Sequence, residues 1–363
     1  MKKNKNYVDL KDQPVPEGQH LLEVDDLKMY FHTEDGVVRA VDGVSYTLDR
    51  GETLGVVGES GSGKSVTAMT IMGLISMPPG KIEGGDVRYR GRSILEMTEE
   101  EMQHIRGNDI AMIFQDPMTS LNPVYKIGKQ VGEGLRLHRG YSKQEALKRA
   151  TELLDLVGIP EPEKRVNEYP HQFSGGMRQR VMIAIALACD PDILIADEPT
   201  TALDVTIQAQ IIELMQEMQE KNGNAIIMIT HDLGVVADMA DKIMVMYAGR
   251  PVEFGTAEEI FYESRHPYTW GLIRSIPEQA IDEKKPLTPI HGNPPSLMNL
   301  PEGCVFSPRC PYATDKCRKQ RPERVVTESG HYSACHYSGD PEFLKNAPET
   351  SRTRKDSKKG GEA

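Results

Sequence analysis

The segment best suited to chemistry is a glycine-rich octapeptide, GESGSGKS, at residues 58–65. A short apolar run at residues 53–57 precedes it, and a helical pattern begins at Lys64. A strand, a glycine-rich loop and a helix in this order form a phosphate-binding unit, because glycines let backbone N–H groups wrap the phosphates. In such a unit Lys64 reaches the β and γ phosphates and the Ser65 hydroxyl holds Mg²⁺. The context between strand and helix favours this interpretation over an ordinary Gly/Ser turn.

Two carboxylates, Asp197 and Glu198, close a second apolar run at residues 193–196. The carboxyl end of a parallel strand lies beside the phosphate loop in folds of this kind, so Asp197 is placed to organise Mg²⁺. Glu198 is then the candidate to polarise the attacking water. By themselves the two residues would also fit a solvated pair before the turn at Pro199. Their combination with a phosphate loop favours the catalytic interpretation.

A second anion site is predicted at residues 173–180, FSGGMRQR. Ser174, Gly175 and Gly176 at a helix start would offer N–H groups, one hydroxyl and the helix dipole, although helix capping explains part of the pattern. A chain with one phosphate loop needs no second loop for the same nucleotide. The string resembles the signature motif of ABC ATPases. This resemblance implies that the signature of one subunit caps the ATP held by its partner.

Other segments resemble further motifs of that family, in the family's order. Gln115 in IFQDP is similar to the Q-loop glutamine, which senses the γ-phosphate and Mg²⁺ and touches the membrane subunits. Asp204 in ALD resembles the D-loop at the dimer interface, and His231 in ITHD resembles the switch histidine that contacts the γ-phosphate. Phe31 or Tyr30 is the candidate to stack on adenine, although an aromatic side chain in a strand more often only packs.

The resemblance assigns roles to individual residues. It implies catalytic roles for Glu198, His231 and Gln115. It implies Mg²⁺ ligation by Ser65, Gln115 and Asp197. It implies nucleotide contacts, in this subunit or across a dimer, for Phe31, Gly58, Ser60, Gly61, Gly63, Lys64, Ser65, Val66, Asp197, Ser174, Gly175, Gly176, Gln179 and Asp204.

Two longer segments narrow the resemblance to one branch of the family. Residues 115–123 (QDPMTSLNP) and residues 266–269 (HPYT), followed by a proline-rich tail, resemble the ATPases of oligopeptide, dipeptide and nickel importers, and most of all the D-type ATPase of oligopeptide systems. The resemblance implies a second, homologous ATPase subunit, two transmembrane permease subunits and, indirectly, an extracytoplasmic peptide-binding protein as partners. The resemblance favours an importer of oligopeptides or dipeptides over one of nickel, but the exact substrate stays open, because specificity in such importers lies in the other components. Whether both ATP sites of the dimer hydrolyse also stays open.

Four of the five cysteines crowd into the C-terminal part with the spacing C-x5-C-x6-C-x17-C. In a reducing compartment such a cluster indicates metal binding before disulfides. The C-x2-C pairs common in structural zinc sites are absent, although four thiolates suit either zinc or an iron–sulfur cluster. Family members with this tail resemble one another in carrying a [4Fe–4S] cluster, which the resemblance implies for Cys304, Cys310, Cys317 and Cys335. Zn²⁺ and unliganded thiols remain alternatives, and Cys189 is predicted to be a small core residue.

The elements that position these motifs alternate between strands and helices. This alternation predicts an α/β fold with a mostly parallel, helix-covered sheet. The resemblance implies a P-loop NTPase of the ABC ATPase type, with a parallel-sheet core, an antiparallel β subdomain, a helical subdomain and a small Pro/Cys-rich C-terminal module. The predicted strands are 53–57, 193–196 and 225–229, and the predicted helices are 98–106, 143–157, 175–188 and 206–221. The predicted divisions are a flexible leader (1–19), the ATPase domain (20–275), the C-terminal module (276–340) and a disordered tail (341–363).

Composition limits the remaining alternatives. A net charge of −11 argues against nucleic acid as the main partner. No run approaches the roughly 18 apolar residues of a membrane span, so we expect a peripheral protein on the cytoplasmic face of the cell membrane, held there by partners. ABC ATPases of DNA repair or translation usually carry two ATPase domains or a coiled-coil insertion, and neither is found here. A metal or redox sensor with the ATPase as its output remains a third interpretation.

Overall fold

The computed structural model describes residues 10–11, 13–116, 120–200, 205–237, 239–276 and 290–348. Several predictions concern residues outside these ranges: Asp204 with the rest of the D-loop, part of the leader (1–9 and 12), and residues 349–363 of the tail. No helix within the described ranges is both long and apolar enough to cross a lipid bilayer.

The strands and helices follow one another in the expected alternation. The strands are β1 (Leu22–Thr33), β2 (Gly36–Leu48), β3 (Thr53–Val57), β4 (Gly80–Tyr89), β5 (Arg92–Ser93), β6 (Ile110–Ile113), β7 (Ile193–Asp197), β8 (Ala225–Thr230), β9 (Lys242–Tyr247), β10 (Arg250–Thr256), β11 (Val325–Val326) and β12 (Tyr332–Ser333). The helices are α1 (Lys64–Ile71), α2 (Glu99–Ile105), α3 (Ile127–His138), α4 (Lys143–Leu156), α5 (Pro162–Arg165), α6 (Gly175–Leu187), α7 (Val205–Asn222), α8 (Leu233–Ala237), α9 (Ala257–Tyr262), α10 (Pro267–Arg274), α11 (Asp315–Lys319) and α12 (Pro341–Leu344). The predicted strands and helices are confirmed, with bounds that differ by one or two residues.

The main sheet has eight strands in the order β11-β12-β10-β9-β3-β8-β7-β6. The five strands from β9 to β6 run parallel, whereas β10, β12 and β11 pair antiparallel at the other side. Since the carboxyl ends of the parallel strands share one edge, the loops after β3, β6, β7 and β8 meet there. These four loops carry the phosphate loop, Gln115, Glu198 and His231.

Continuous apolar strands are buried on both faces. In β7, Ile193 and Ile195 pack on one side of the sheet, while Leu194 and Ala196 pack on the other. The first side is covered by α1 and by a four-stranded antiparallel sheet of order β2-β1-β4-β5. The second side is covered by helices that include α3, α4, α6 and α7. The helix-covered parallel sheet and the antiparallel β part predicted from the sequence are therefore both present.

The C-terminal segment joins the main sheet through its own strands. Strand β12 pairs with β10, with Glu253 opposite Ser333 and Phe254 opposite Tyr332. The rings of Phe254 and Tyr332 stack with centroids 5.6 Å apart. This pairing fixes the C-terminal segment next to β10, one strand away from β9, whose carboxyl end lies behind the phosphate loop.

Candidate functional site

The phosphate loop is held in a compact turn between β3 and α1. Gly58 has a positive φ of 152°, and a Cβ there would lie 2.2 Å from the backbone oxygen of Met246 in β9. Only glycine can take this conformation at such a close approach. The loop borders a cavity of about 120 Å³ that brings together six of the fourteen predicted nucleotide contacts with Gln115 and Glu198. Its lining residues are Ser60, Gly61, Ser62, Gly63, Lys64, Ser65, Val66, Gln115 and Glu198.

Lys64 is buried inside the loop. Its Nζ donates to the carbonyl oxygens of Gly58 at 2.6 Å and Glu59 at 3.0 Å. Burial lowers the pKa of Lys64, and the negative charges of Glu198, Asp197 and Glu59 oppose this shift. The ammonium group is thus held by weak carbonyl acceptors at the place where phosphate oxygens can replace them.

Ser65 and Asp197 form the oxygen pair suited to a divalent cation. The Ser65 hydroxyl donates to Oδ1 of Asp197 at 2.9 Å. Burial raises the pKa of Asp197, the charge of Glu198 raises it further, and the hydrogen bond from Ser65 opposes both. A cation would favour the ionised carboxylate, and Mg²⁺ prefers one or two such oxygen ligands together with phosphates and water. These residues therefore fit Mg²⁺.

Glu198 stands in a strained backbone conformation at the end of β7. Its φ is 47°, in the left-handed region that residues other than glycine seldom adopt, and its N–H donates to the carbonyl of Ile229 in β8 at 2.9 Å. Gln115 donates to Oε2 of Glu198 at 2.9 Å, and His231 Nδ1 lies 3.4 Å from Oε1. All three predicted catalytic residues thus meet at one carboxylate beside the phosphate loop.

The signature residues lie apart from that cavity. Ser174 caps α6, accepting a hydrogen bond from the Met177 N–H at 3.3 Å. Ser174 and Gly175 are exposed, Gly176 is half-buried, and within the described residues none of the three lines the phosphate-loop cavity. The two predicted anion sites are therefore separate in this structure, the phosphate loop at a cavity and the start of α6 exposed at the surface.

Three predicted contacts are placed elsewhere. Gln179 is almost fully buried and donates to the carbonyl of Pro199 at 2.6 Å, so it supports the loop after β7 from behind. Phe31 packs partly against the core between the two sheets, and the Tyr30 hydroxyl donates to Asp42 at 3.0 Å. Neither ring lines the phosphate-loop cavity in the described part of the chain.

Sequence reasoning missed a set of contacts behind the loop. The Glu59 N–H donates to the hydroxyl of Tyr268 at 2.8 Å, and the Glu59 carboxylate forms an ion pair with Arg309. The HPYT string contains Tyr268, but no local pattern identifies Arg309 as its neighbour, because 250 positions separate Arg309 from Glu59.

The four C-terminal cysteines line one cavity of about 20 Å³, with aromatic side chains such as Phe306, Tyr312, Tyr337 and Phe343 around it. Burial raises the pKa of the Cys304 thiol, that of Cys310 to about 11 and that of Cys335 to about 12. Across the described residues, no group of three or more histidine, cysteine, aspartate or glutamate side chains is arranged to hold a metal ion. The cysteines share a cavity without forming a single-ion site.

Comparison with known proteins gives the family. Residues 41–201 match the family described as ABC transporter, and residues 252–317 match the oligopeptide/dipeptide transporter, C-terminal region. The oligopeptide transport ATP-binding protein OppD of Bacillus subtilis (strain 168) is 58% identical over 86% of this chain and 87% of its own length. The chain belongs to the ABC transporter family of ATP-binding proteins.

Other relatives agree with this membership. The dipeptide transport ATP-binding protein DppD of Escherichia coli (strain K12) is 52% identical over 88% of this chain and 97% of its own length. A dimeric post-hydrolysis state of the ATP-binding cassette MJ0796, bound to ADP and Pi, aligns with a TM-score of 0.59 and 29% identity over 65% of this chain and 98% of the cassette. As an ABC ATPase, the chain uses ATP and Mg²⁺, and it acts with a second ATPase subunit and with permeases.

Proposed function

We propose that this chain is the ATP-hydrolysing subunit of an importer for oligopeptides or dipeptides, and that it works as a nucleotide-sandwich dimer with a related ATPase. The observation that carries the proposal is that the predicted nucleotide-binding residues fall into two separate groups. Gln115, Glu198 and His231 converge beside the phosphate loop, while Ser174 and Gly175 stand exposed outside it. The peptide cargo is supported by the relatives named for oligopeptide and dipeptide transport.

In the proposed reaction, the loop N–H groups and Lys64 bind the β and γ phosphates. Ser65, Asp197 and Gln115 would hold Mg²⁺, which neutralises the developing phosphate charge. Glu198 accepts a proton from the attacking water, and the strained backbone at Glu198 aims its carboxylate at the loop. Gln115 and His231 fix the orientation of that carboxylate before nucleotide arrives.

The exposed start of α6 completes the partner's site. Free N–H groups at a helix N-terminus attract anions, so Ser174–Gly176 would cap the γ-phosphate of ATP held by the other ATPase. Binding energy then closes the dimer, and hydrolysis removes the bridging charge and releases it.

An apolar groove beside Gln115 is the proposed contact for a permease. It has a volume of about 320 Å³ and is lined by Met112, Phe114, Ser120, Leu121, Met182 and Ile185. Phe114, 40% exposed, directly precedes Gln115. A permease segment seated there would move with the site that senses the γ-phosphate, and this contact would keep the chain peripheral at the membrane.

Replacing Glu198 tests the hydrolytic assignment. Glu198→Gln keeps the side-chain shape but cannot accept the proton, so we expect near-normal ATP affinity, turnover reduced at least about 100-fold, and accumulation of ATP-bridged dimers. ATP titration, phosphate release by the assembled complex and size-exclusion chromatography measure these three quantities. Exposed Glu133→Gln on α3 is the matched control and should behave as the wild type. Near-normal turnover in Glu198→Gln would remove Glu198 from the catalytic role.

We further propose that Cys304, Cys310, Cys317 and Cys335 bind a [4Fe–4S] cluster. The support is the set of four thiols around one cavity. Zn²⁺ is the alternative occupant, because four thiolates suit either metal. Because the cavity of about 20 Å³ is smaller than a cluster, the loops that carry the cysteines would have to separate on binding.

Metal analysis of anaerobically purified protein tests this proposal. We expect a brown protein that contains iron and loses it in Cys335→Ser, whereas Cys189→Ser, at a buried core cysteine outside this cavity, should retain it. Colourless protein with stoichiometric zinc would contradict the cluster.

A further inference from the structure

A partly buried ion pair joins the C-terminal segment to the phosphate loop. Arg309 donates to both carboxylate oxygens of Glu59, from Nη1 to Oε2 at 2.5 Å and from Nη2 to Oε1 at 2.9 Å. Only 4% of the Arg309 side chain is exposed, compared with 29% for Glu59. A bidentate pair of this kind fixes orientation as well as charge.

Glu59 occupies a sensitive place, as the second residue of the phosphate loop. Its carbonyl oxygen accepts a hydrogen bond from the Lys64 ammonium at 3.0 Å, and its N–H donates to the Tyr268 hydroxyl at 2.8 Å. An unpaired carboxylate here would repel the phosphates of ATP and would compete for Lys64. Neutralisation of this charge is therefore a condition for anion binding by the loop.

The C-terminal segment holds Arg309 rigidly. The Arg309 Nε donates to the carbonyl of His291 at 2.9 Å, and its backbone N–H donates to Phe306 at 3.0 Å. The Phe306 ring packs against Tyr247 at 5.2 Å and Tyr268 at 5.4 Å between centroids. This arrangement orders the guanidinium before nucleotide binds, unlike an exposed salt bridge, which loses side-chain entropy on forming.

We propose that Arg309 is a positioning residue of the ATP site: it orients and neutralises Glu59, so that the C-terminal segment is an integral part of the phosphate-binding machinery. The inference rests on the assignment of residues 58–65 as the loop that binds the ATP phosphates. It goes beyond that assignment by giving the segment between Cys304 and Cys310 a direct effect on nucleotide affinity.

Four variants of the full-length chain test the role of charge. ATP affinity is measured by calorimetric titration with Mg²⁺ for Arg309→Ala, Arg309→Lys, Glu59→Gln and the double variant Glu59→Gln/Arg309→Ala. We expect Arg309→Ala to weaken ATP binding about tenfold and ADP binding less, because ATP carries more charge. The double variant should recover to within about threefold of the wild type, since no unpaired carboxylate remains. Arg309→Lys, which retains the charge without the bidentate geometry, should lie between Arg309→Ala and the wild type.

A second buried pair provides the matched control. Arg90 and Asp192, with side chains 3% and 4% exposed, pair at 2.5 Å at the amino end of β7, opposite the phosphate loop. Arg90→Ala should lower the melting temperature without changing ATP affinity. Lys64→Ala tests the phosphate-loop assignment independently of Arg309. If Lys64→Ala leaves ATP affinity unchanged, that assignment fails.

Two results would overturn the role of Arg309 while leaving that assignment intact. One is an unchanged ATP affinity in Arg309→Ala when Lys64→Ala weakens binding. The other is a double variant that folds but binds ATP as poorly as Arg309→Ala, which would mean that the charge of Glu59 is not the cause. If Arg309→Ala does not fold, Arg309→Lys and the double variant decide by the same criteria.

Discussion

At the residue scale, the proposed hydrolytic site depends on one carboxylate, that of Glu198, whose backbone is held in an unfavourable conformation. The left-handed backbone of Glu198 (φ 47°) costs of order 1–3 kcal/mol, and the carbonyl of Ile229 holds it there through a hydrogen bond. Backbone strain of this kind is common at functional sites, where the surrounding structure holds a side chain in one orientation. Gln115, in the loop after β6, and His231, in the loop after β8, contact the Glu198 carboxylate and help to orient it.

Site residues that belong to local sequence motifs can be predicted from the sequence. The string GESGSGKS, its preceding strand and the carboxylates after β7 identified Lys64, Ser65, Asp197 and Glu198, because parallel strands bring their carboxyl-end loops together. Arg309 was not predictable, since its partner lies 250 positions away and nothing in the local pattern distinguishes it from a surface arginine. The nucleotide role that the family resemblance gave to Gln179 stays a prediction, and its present contact is the carbonyl of Pro199.

At the element scale, the sequence pattern predicts the strands and helices that carry the ATP motifs, but not the 12-residue helix α3 or the two-residue strands β11 and β12. Strands β7 and β8 are uninterrupted apolar runs, so their burial on both faces followed from composition. Strands β11 and β12 have two residues each, too few to show alternation, and only their pairing with each other and the pairing of β12 with β10 define them. The attachment of the C-terminal segment to the main sheet was therefore not readable from its proline-rich sequence.

Helix α8 packs against the strand that leads to the phosphate loop, and Gly55 permits the contact. A Cβ on Gly55 would lie 2.2 Å from Cγ1 of Val236 and 3.3 Å from Cβ of Ala240, so α8 would have to move. We expect Gly55→Ala to lower the free energy of unfolding by about 1–3 kcal/mol. Hydrolysis should also fall, because α8 starts two residues after His231. Urea unfolding and phosphate release measure the two effects.

A compensating substitution shows whether this contact is the cause. In Gly55→Ala/Val236→Ala the clashing Cγ1 is gone and the nearest Val236 atom is Cβ at 3.2 Å. The loss in free energy of unfolding of the double variant should be about 1–2 kcal/mol smaller than the sum of the losses of the two single variants. Gly339→Ala, at an exposed position with nothing within 4 Å, should change little. Strict additivity of the two losses would contradict the packing explanation.

At the scale of the whole molecule, the proposed dimer has two ATP sites, and each chain would contribute its phosphate loop to one site and the start of α6 to the other. In the proposed arrangement the phosphate loop binds this chain's own nucleotide, and the exposed start of α6 acts on a nucleotide brought by another molecule. This separation predicts that the two halves can be damaged independently. A change at α6 should leave the fold and the chain's own ATP affinity intact while it prevents assembly.

Gly175→Asp makes that separation measurable. A Cβ on Gly175 meets nothing within 4 Å, and an acidic residue in the first turn of α6 suits the helix dipole, so the monomer should be at least as stable as the wild type. In the closed dimer the new carboxylate would face the partner's γ-phosphate, and like charges in such contact cost several kcal/mol. We therefore expect unchanged ATP affinity of the monomer, no ATP-bridged dimer, and turnover of the complex reduced at least about tenfold. Gly175→Asn, equal in size but uncharged, should be less impaired. Full turnover in Gly175→Asp would mean that α6 does not approach the partner's nucleotide, and each subunit would then have to hydrolyse ATP with its own residues alone.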